Sequence, residues 1–392
     1  MENIKNRPIV ITGHPYAHPH YFKVFEYADK SRLAFVLPKV WKAKLNIKPE
    51  KKPGFTLFGL NAFSYGKKSL LGGPFKGWLP GLLYLLPYLR FKRGAKVLYS
   101  CSEPNLLTTL FNGCLAKLLG MKLVLFTWQN VEPEKRMRGL KFKLSNLLVR
   151  FNLRLADGII CGNRKAEEIV EHLAHNSKCL TTLVCPLSGV DTEKFKPGGG
   201  AGWKERLNIG VQKMILFYGV LDARKGVNIL IKAFREISDK ACLVIVGSGP
   251  QKDYLVALAG EWGLSGKVVF LNWMANSELP GLLNEADVFV YPSVPFGGWE
   301  EQFGYAMAEA SACGIPVVAT GIGAIGEAVK DGITGFLVPP NDIPALRGAI
   351  TELLENPVLA EQMGLAGRSY IESNFSHRVI AEKISKFLNN FL

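Results

Sequence analysis

Short apolar runs alternate with amphipathic stretches in two successive series along this chain, and that alternation limits what it can fold into. The runs fall at 9–12, 33–37, 96–100, 123–127 and 158–161, then at 214–218, 242–246, 268–271, 288–291, 316–319 and 336–338. Between many of them lie stretches of helical spacing, at 106–119, 140–155, 165–172, 227–237, 254–262, 303–313 and 344–354. A strand that is apolar throughout must be covered on both faces, and intervening helices supply the cover. Each series therefore predicts a mostly parallel sheet, and the expected class is α/β with two Rossmann-like domains facing across a cleft. A length of 392 residues accommodates both. The segment 187–210, LSGVDTEKFKPGGGAGWKERLNIG, is rich in Gly and polar residues, which places a hinge near 187–212. The domains expected are 1–190, 191–375 and a terminal helix within 376–392 that can pack back on the first.

Charge divides the chain in the same way. Residues 1–150 hold 26 Lys+Arg against 7 Asp+Glu, whereas residues 151–392 hold 22 against 26. The whole excess of +15 thus belongs to the first part, and from Lys51 to Ser102 nine basic residues occur without one acid. Such a surface is built to meet something negative. The most apolar stretch, GWLPGLLYLLPYLRFKR at 77–93, has 13 uncharged residues between Lys76 and Arg90. A bilayer span needs about 20, so the stretch reads as a helical hairpin, an interface-lying segment or a buried core element.

Seven scattered cysteines with no CxxC pair indicate a reducing compartment rather than a disulfide framework or a zinc site. The start, MENIKNRPIV, has no apolar run of signal-peptide type. Both point to a cytoplasmic location. No compact nucleic-acid-binding motif occurs, so nucleic acid is not expected as a partner.

Ligands of open parallel sheets sit outside the carboxyl ends of the strands. In the second series the run 214–218 leads into GVLDARKG at 219–226 and then a helix. A loop bounded by Gly219 and Gly226 at a helix N-terminus offers backbone N–H groups to an anion, with Arg224 and Lys225 adding charge. The run 242–246 ends in GSGP. The run 288–291 leads to PSVPFGGWEEQFG, with Glu301 near its end and Gly304 opening a helix that carries Glu309. On one helix, eight positions leave two side chains about 80° apart, so this carboxylate pair can reach one elongated ligand from different heights. Carboxylates accept hydrogen bonds from paired hydroxyls such as those of a ribose or a sugar ring. In the first series, Gly13 precedes HPYAHPH at 14–20, a cluster open to metal ligation or to lining a ligand cleft, and Glu103 follows the run 96–100. The Glu103 carboxylate can touch a bound ligand or cap the helix starting at Leu106.

Taken together, GVLDARKG at 219–226, VGSGP at 246–250, FVYPS at 289–293, EQFGYAMAEASACGIPVVAT at 301–320 and GITGFLVPP at 332–340 resemble the family-four retaining glycosyltransferases of the GT-B fold, glycosyl transferases group 1. The likeness covers about 214–375 well; ADGII at 156–160 and GVD at 189–191 fit more loosely. It implies a nucleotide-sugar donor held by the second domain, with Lys225 on the diphosphate and Glu309 on the ribose. Glu301 would then sit by the transferring sugar, with the backbone near Phe303 and Gly304 on its hydroxyls or phosphate, and Trp273 and Met274 by the base. The first domain would receive a glycan or lipid-linked acceptor near Gly13, His14, Glu103 and Gln129. Two departures stand out: Val220 occupies a place where the family usually has Arg, and Gln129 one where it often has His. Glu301 and Lys225 are the catalytic candidates. With no Asp-x-Asp, neither a metal nor any other cofactor is expected. The basic first half would suit an anionic membrane surface, which places the protein peripherally on the inner face of the cytoplasmic membrane. The alternatives are a GT-B-like nucleotide-sugar epimerase and a non-catalytic basic membrane-binding protein.

Overall fold

The computed structural model describes residues 8–42, 46–49, 52–63, 73–174, 180–210 and 212–392. The chain divides into two compact units, 1–189 with 377–392, and 190–376. Lys51, Lys67 and Lys68 of the acid-free run, and Cys179, lie outside the described residues.

In the first unit the strands are β1 (Ile9–Thr12), β2 (Leu33–Pro38), β3 (Trp41–Lys42), β4 (Asn46–Ile47), β5 (Thr56–Leu60), β6 (Val97–Ser100), β7 (Lys122–Thr127), β8 (Gly158–Cys161) and β9 (Thr181–Val184). The helices are α1 (Pro19–Phe22), α2 (Leu82–Arg93), α3 (Leu107–Leu118), α4 (Pro133–Arg136), α5 (Gly139–Leu155) and α6 (Arg164–Leu173). Apart from an antiparallel β3–β4 pair, the strands form one parallel sheet in the order β5-β2-β1-β6-β7-β8-β9. From β5 to β9 the crossovers through α2, α3, α5 and α6 step in one direction along the sheet. Right-handed connections then put these helices on one face. One continuous core confirms it: Leu82, Leu86 and Leu89 of α2, Leu115 of α3, Val149 and Leu153 of α5 and Val170 of α6 pack with Leu98, Leu123 and Ile159 of the sheet.

The apolar stretch at 77–93 is a single helix from Leu82, not a hairpin. Pro80 lies ahead of it, and Pro87 lies within it. Pro87 deprives the Leu83 carbonyl of a helical partner, but Leu83 is exposed and water can serve instead. The helix is buried on one side only.

The second unit holds α7 (Trp203–Arg206), β10 (Lys213–Tyr218), α8 (Val227–Phe234), β11 (Ala241–Val246), α9 (Lys252–Glu261), β12 (Val268–Leu271), α10 (Leu279–Leu283), β13 (Val288–Tyr291), α11 (Tyr305–Ala312), β14 (Val317–Thr320), α12 (Ile325–Ala328), β15 (Gly335–Val338), α13 (Ile343–Glu355) and α14 (Pro357–Phe375). Its six strands are parallel in the order β12-β11-β10-β13-β14-β15. The Gly-rich segment before β10 is anchored to this unit: the Glu285 carboxylate accepts from the Trp203 and Lys204 amides at 2.9 and 2.6 Å. After α14 the chain returns to the first unit as α15 (His377–Asn389). There His377 stacks on Tyr27, and Phe387 and Phe391 pack against Gly158.

Neither β5 nor β9 is marked by the hydrophobic pattern. Both are edge strands, and all five β5 residues are only half-buried. Also unmarked is α14, whose buried positions include Gly364 and Gly367 beside Met363, Ile371 and Phe375. A Cβ at Gly364 would stand 2.0 Å from the Gly314 carbonyl oxygen that leads into β14. Glycine to alanine inside a helix ordinarily stabilises by about 1 kcal/mol. Gly364→Ala is expected to lower the melting temperature instead, which thermal unfolding followed by circular dichroism will read.

Candidate functional site

In the second sheet the strand order reverses between β10 and β13. At such a switch point the loops leaving two neighbouring strands diverge and open a crevice. Lys225 comes from the loop after β10 and Glu301 from the loop after β13. The structure brings them together, with the Lys225 ammonium 2.6 Å from Glu301 Oε2. Both side chains are about nine-tenths buried, at 12% and 10% exposure. The Tyr291 hydroxyl, at the end of β13, donates to the same Glu301 oxygen at 2.8 Å and accepts from Lys225. Burial, then the Glu301 charge, pushes the Tyr291 phenol well above its usual pKa, so it remains a donor.

Close backbone contacts hold these loops in place. Gly226 has φ +62°, and a Cβ there would lie 2.0 Å from the Pro292 carbonyl oxygen. The Val294 amide donates to the Arg224 carbonyl at 2.8 Å, tying the β10 and β13 loops directly. Gly323, in the loop after β14, has φ +57° and leaves no room for a Cβ beside the Glu301 carbonyl, which accepts from the Ala324 amide at 2.9 Å. Three successive loops thus fix Glu301 from both sides.

Glu309 lies one turn into α11, at 5% exposure. It accepts from the Tyr218 hydroxyl at the end of β10. Burial raises its pKa from 4.5 to about 7, partly opposed by the Tyr218 hydrogen bond. Gly304, left-handed at φ +82°, occupies the N-cap of α11. The Phe303 ring is not part of the crevice: it is buried, edge-on to Tyr305 at 4.9 Å and tilted on Phe375 at 5.0 Å. Arg224 is committed within its own loop. Its Nε lies 3.1 Å from Asp222, and its guanidinium stacks 4.4 Å from the centre of the Trp299 ring. Asp222 therefore offsets the charge Arg224 would offer in place of the cation missing at Val220. Gly219 follows β10, and its amide donates to the Val246 carbonyl at 3.0 Å. Trp273 and Met274 stand beyond β12, the edge strand; Trp273 is largely exposed and Met274 half-buried.

Of the residues expected on the acceptor side, Gly13 and His14 follow β1 and Glu103 follows β6, the strands flanking the switch point of the first sheet, while Gln129 follows β7. Gly13 has φ +138°, and a Cβ there would meet the Cys101 carbonyl oxygen at 2.3 Å. Its missing side chain is thus demanded by the neighbouring strand end. His14 stacks on Trp41 with centroids 4.5 Å apart. Burial, then Lys76 and His18, lowers its pKa to about 3, so the imidazole is neutral. Among the described residues no group of three or more His, Cys, Asp or Glu is placed to hold a metal, and that includes the 14–20 cluster. The Glu103 carboxylate does not cap α3, whose N-cap is Leu106 without a side-chain bond. It accepts from the Thr127 hydroxyl at 2.7 Å and the Trp128 amide at 2.9 Å, fastening the exits of β6 and β7. The Gln129 amide donates to the same Thr127 hydroxyl at 3.1 Å, which joins Glu103 and Gln129 through one residue.

Sequence reasoning missed Tyr218 and Tyr291. Each is the last residue of a buried apolar strand, and a phenol in that position is the one signal that could have marked them.

Residues 203–370 match the family described as Glycosyl transferases group 1. A GDP-mannose-dependent alpha-(1-6)-phosphatidylinositol monomannoside mannosyltransferase of Mycolicibacterium smegmatis is 36% identical over 208 residues, 51% of this chain and 54% of that protein. A D-inositol 3-phosphate glycosyltransferase of Mycobacterium bovis is 35% identical over 173 residues, 42% of this chain and 35% of that protein. The chain thus spans about half the length, or less, of these curated relatives. Across both units the fold is that of GT-B proteins. Sucrose-phosphate synthase from Thermosynechococcus elongatus matches with TM-score 0.73 at 21% identity, covering 98% of this chain and 99% of that one. Anabaena Alr3699/HepE in complex with UDP matches with TM-score 0.74 at 18% identity, covering 97% and 99%.

The raised Glu309 pKa has a stability consequence of definite sign. Between about 4.5 and 7 the folded state holds a proton that the unfolded state releases, so stability falls as pH rises through that window. The loss is up to about 3 kcal/mol. Urea unfolding at pH 5 and pH 8 should show Glu309→Gln lacking most of this decline, and Tyr218→Phe steepening it.

Proposed function

From the glycosyl transferases group 1 domain that residues 203–370 form, we propose that this protein moves a hexose from a nucleotide-diphosphate sugar to a glycan or lipid-linked acceptor, with retention of configuration and without a metal. The observation that carries the reading is the meeting of Lys225 and Glu301 at the switch point, beside the N-terminus of α8. A buried ammonium and a helix N-terminus suit a diphosphate. A carboxylate fixed by a phenol and by backbone contacts on both sides suits a sugar hydroxyl. Lys225 takes the diphosphate and stabilises the departing charge; Glu301 orients the sugar; Glu309, in its ionised form, accepts from the ribose hydroxyls.

The acceptor oxygen bonds to the anomeric carbon on the face from which the phosphate oxygen departs. The acceptor proton passes to that phosphate oxygen, so atoms and charge balance without a protein base. Positioning and fixed positive charge do most of the work. Metal-free transfer is supported by the absence of Asp-x-Asp and by the Lys225 ammonium at the crevice, which can take the diphosphate charge. The second unit is then the donor-binding domain, and the first receives the acceptor near Gly13, His14, Glu103 and Gln129. The lipid-linked option, supported by the phosphatidylinositol monomannoside acceptor named for the mycolicibacterial relative, would place the protein peripherally on the inner face of the cytoplasmic membrane.

Thermal shift with GDP, UDP and ADP, each with and without an attached hexose, tests the donor. GDP-mannose is the first choice, because the mycolicibacterial relative is named for it. If none raises the melting temperature, the reading fails. Glu309→Ala should weaken nucleotide binding in the folded protein, and wild-type affinity should rise with pH through about 7 as the carboxylate ionises. Lys225→Ala should lower kcat/KM by roughly 10²–10³, the scale of losing one transition-state donor. EDTA should leave the rate unchanged.

A further inference from the structure

Helix α5 carries its apolar residues on two opposite sides. Val149 and Leu153 face the core, while Leu140, Leu144, Leu147 and Phe151 are exposed. The exposed four recur at i, i+4, i+7 and i+11, which keeps them within about 60° of one another on a helix. The exposure is large, at 72% for Leu140 and 65% for Leu147. On α2 the same arrangement appears in aromatic form: Tyr84, Tyr88 and Phe91 at i, i+4 and i+7 stand out at 79%, 43% and 72%, opposite the buried Leu82, Leu86 and Leu89. Both helices lie on the same face of the sheet, with α3 between them packing on each. Leu118 of α3 adds a further exposed apolar side chain at 84%.

The charge around this surface is of one sign. Helices α2, α3 and α5 contain no acidic residue and eight basic ones. On α5, Lys141 and Lys143 lie to either side of the apolar stripe, and Arg150 and Arg154 continue it; all four are exposed. The pattern stops at α6, the next helix on that face, which carries Glu167, Glu168 and Glu171. An outward apolar stripe flanked by basic side chains is complementary to an anionic lipid surface: the stripe enters the acyl boundary while the cations remain among the headgroups. A second copy of this chain would bring like charges together instead.

We propose that the outer faces of α5 and α2 form the surface by which this protein docks on anionic phospholipid membranes. The inference deepens the peripheral reading above by naming the surface and the lipid chemistry, and it holds whether or not glycosyl transfer is the activity.

The test uses the full chain with phosphatidylcholine vesicles containing about one-third phosphatidylglycerol, against pure phosphatidylcholine vesicles, by co-sedimentation at low and high salt. Wild type should bind the anionic vesicles and release in high salt. Leu144→Gln/Leu147→Gln and Tyr84→Ser/Tyr88→Ser alter exposed positions, so melting temperature and nucleotide-induced thermal shift should stay as in wild type. Partition of each should fall at least about tenfold. The proposal is overturned if wild type does not prefer anionic vesicles, if both variants bind as wild type does, or if the variants change only self-association on size exclusion. Vesicle binding lost on substitution with the nucleotide shift retained supports docking and leaves the donor site standing. Vesicle binding that tracks the patch with no nucleotide shift in any form supports docking and removes the transfer reading.

Discussion

A parallel strand covered on both faces has no place along its length for an unpaired polar side chain, and that exclusion organises both units. The strands β10, β11 and β13 are buried almost throughout, and apart from Lys213 at the entry of β10 their polar side chains sit at the exits: Tyr218, Tyr291, and beyond them Ser293 and Glu301. Because β11 and β13 lie on opposite sides of β10, the loops leaving β10 and β13 diverge and open a crevice at this sheet edge. The Lys225–Glu301 pair occupies it. Desolvating two charges is costly, and removing either would strand the other. The pair is held by the Tyr291 phenol and by loops whose contacts at Gly226 and Gly323 permit no side chain.

The two carboxylates of the E-x7-E spacing solve the burial problem differently. Glu301 keeps a cation beside it. Glu309 has the Tyr218 phenol for company and lies on a helix lined with small residues, so burial acts on it with less opposition. Equal spacing on paper therefore conceals two different surroundings. On the proposed reading this division is useful: Glu301 orients a sugar, while Glu309 can lose its proton as it gains hydroxyl donors.

The sequence made legible those features that depend on long-range apolar pattern: two parallel sheets, most strands within a residue or so, and the loops that carry Lys225, Glu301 and Glu309. It hid what depends on three-dimensional neighbours. Edge strands β5 and β9 are half-buried, so their apolar signal is diluted. In α14 the close packing is made by glycines, which hydrophobic periodicity cannot register. Arg224 reads as a free cation until Asp222, two residues away, is seen to hold it. Glu103 reads as a cap or an acceptor ligand, and its partners Thr127 and the Trp128 amide come from β7 and its exit, which the sequence does not place beside it. Gly13 reads as a residue beside an acceptor, and the Cys101 carbonyl, which leaves no room there for a Cβ, is invisible in the sequence.

The charge asymmetry becomes more specific once the helices are placed. A basic excess spread over a whole unit would say only that something negative lies nearby. Here the acid-free helices α2, α3 and α5 occupy one face of the first sheet, and α6 interrupts the pattern on that same face with three glutamates. On the proposed reading nucleotide recognition does not account for this, because it falls to the second unit, which carries no such excess. Solubility alone does not account for it either, because the basic residues border exposed Leu, Tyr and Phe, which act against solubility. Apolar exposure and positive charge coincide where the chain could have separated them. Contact with an anionic, partly apolar surface is the condition under which both features are favourable at once.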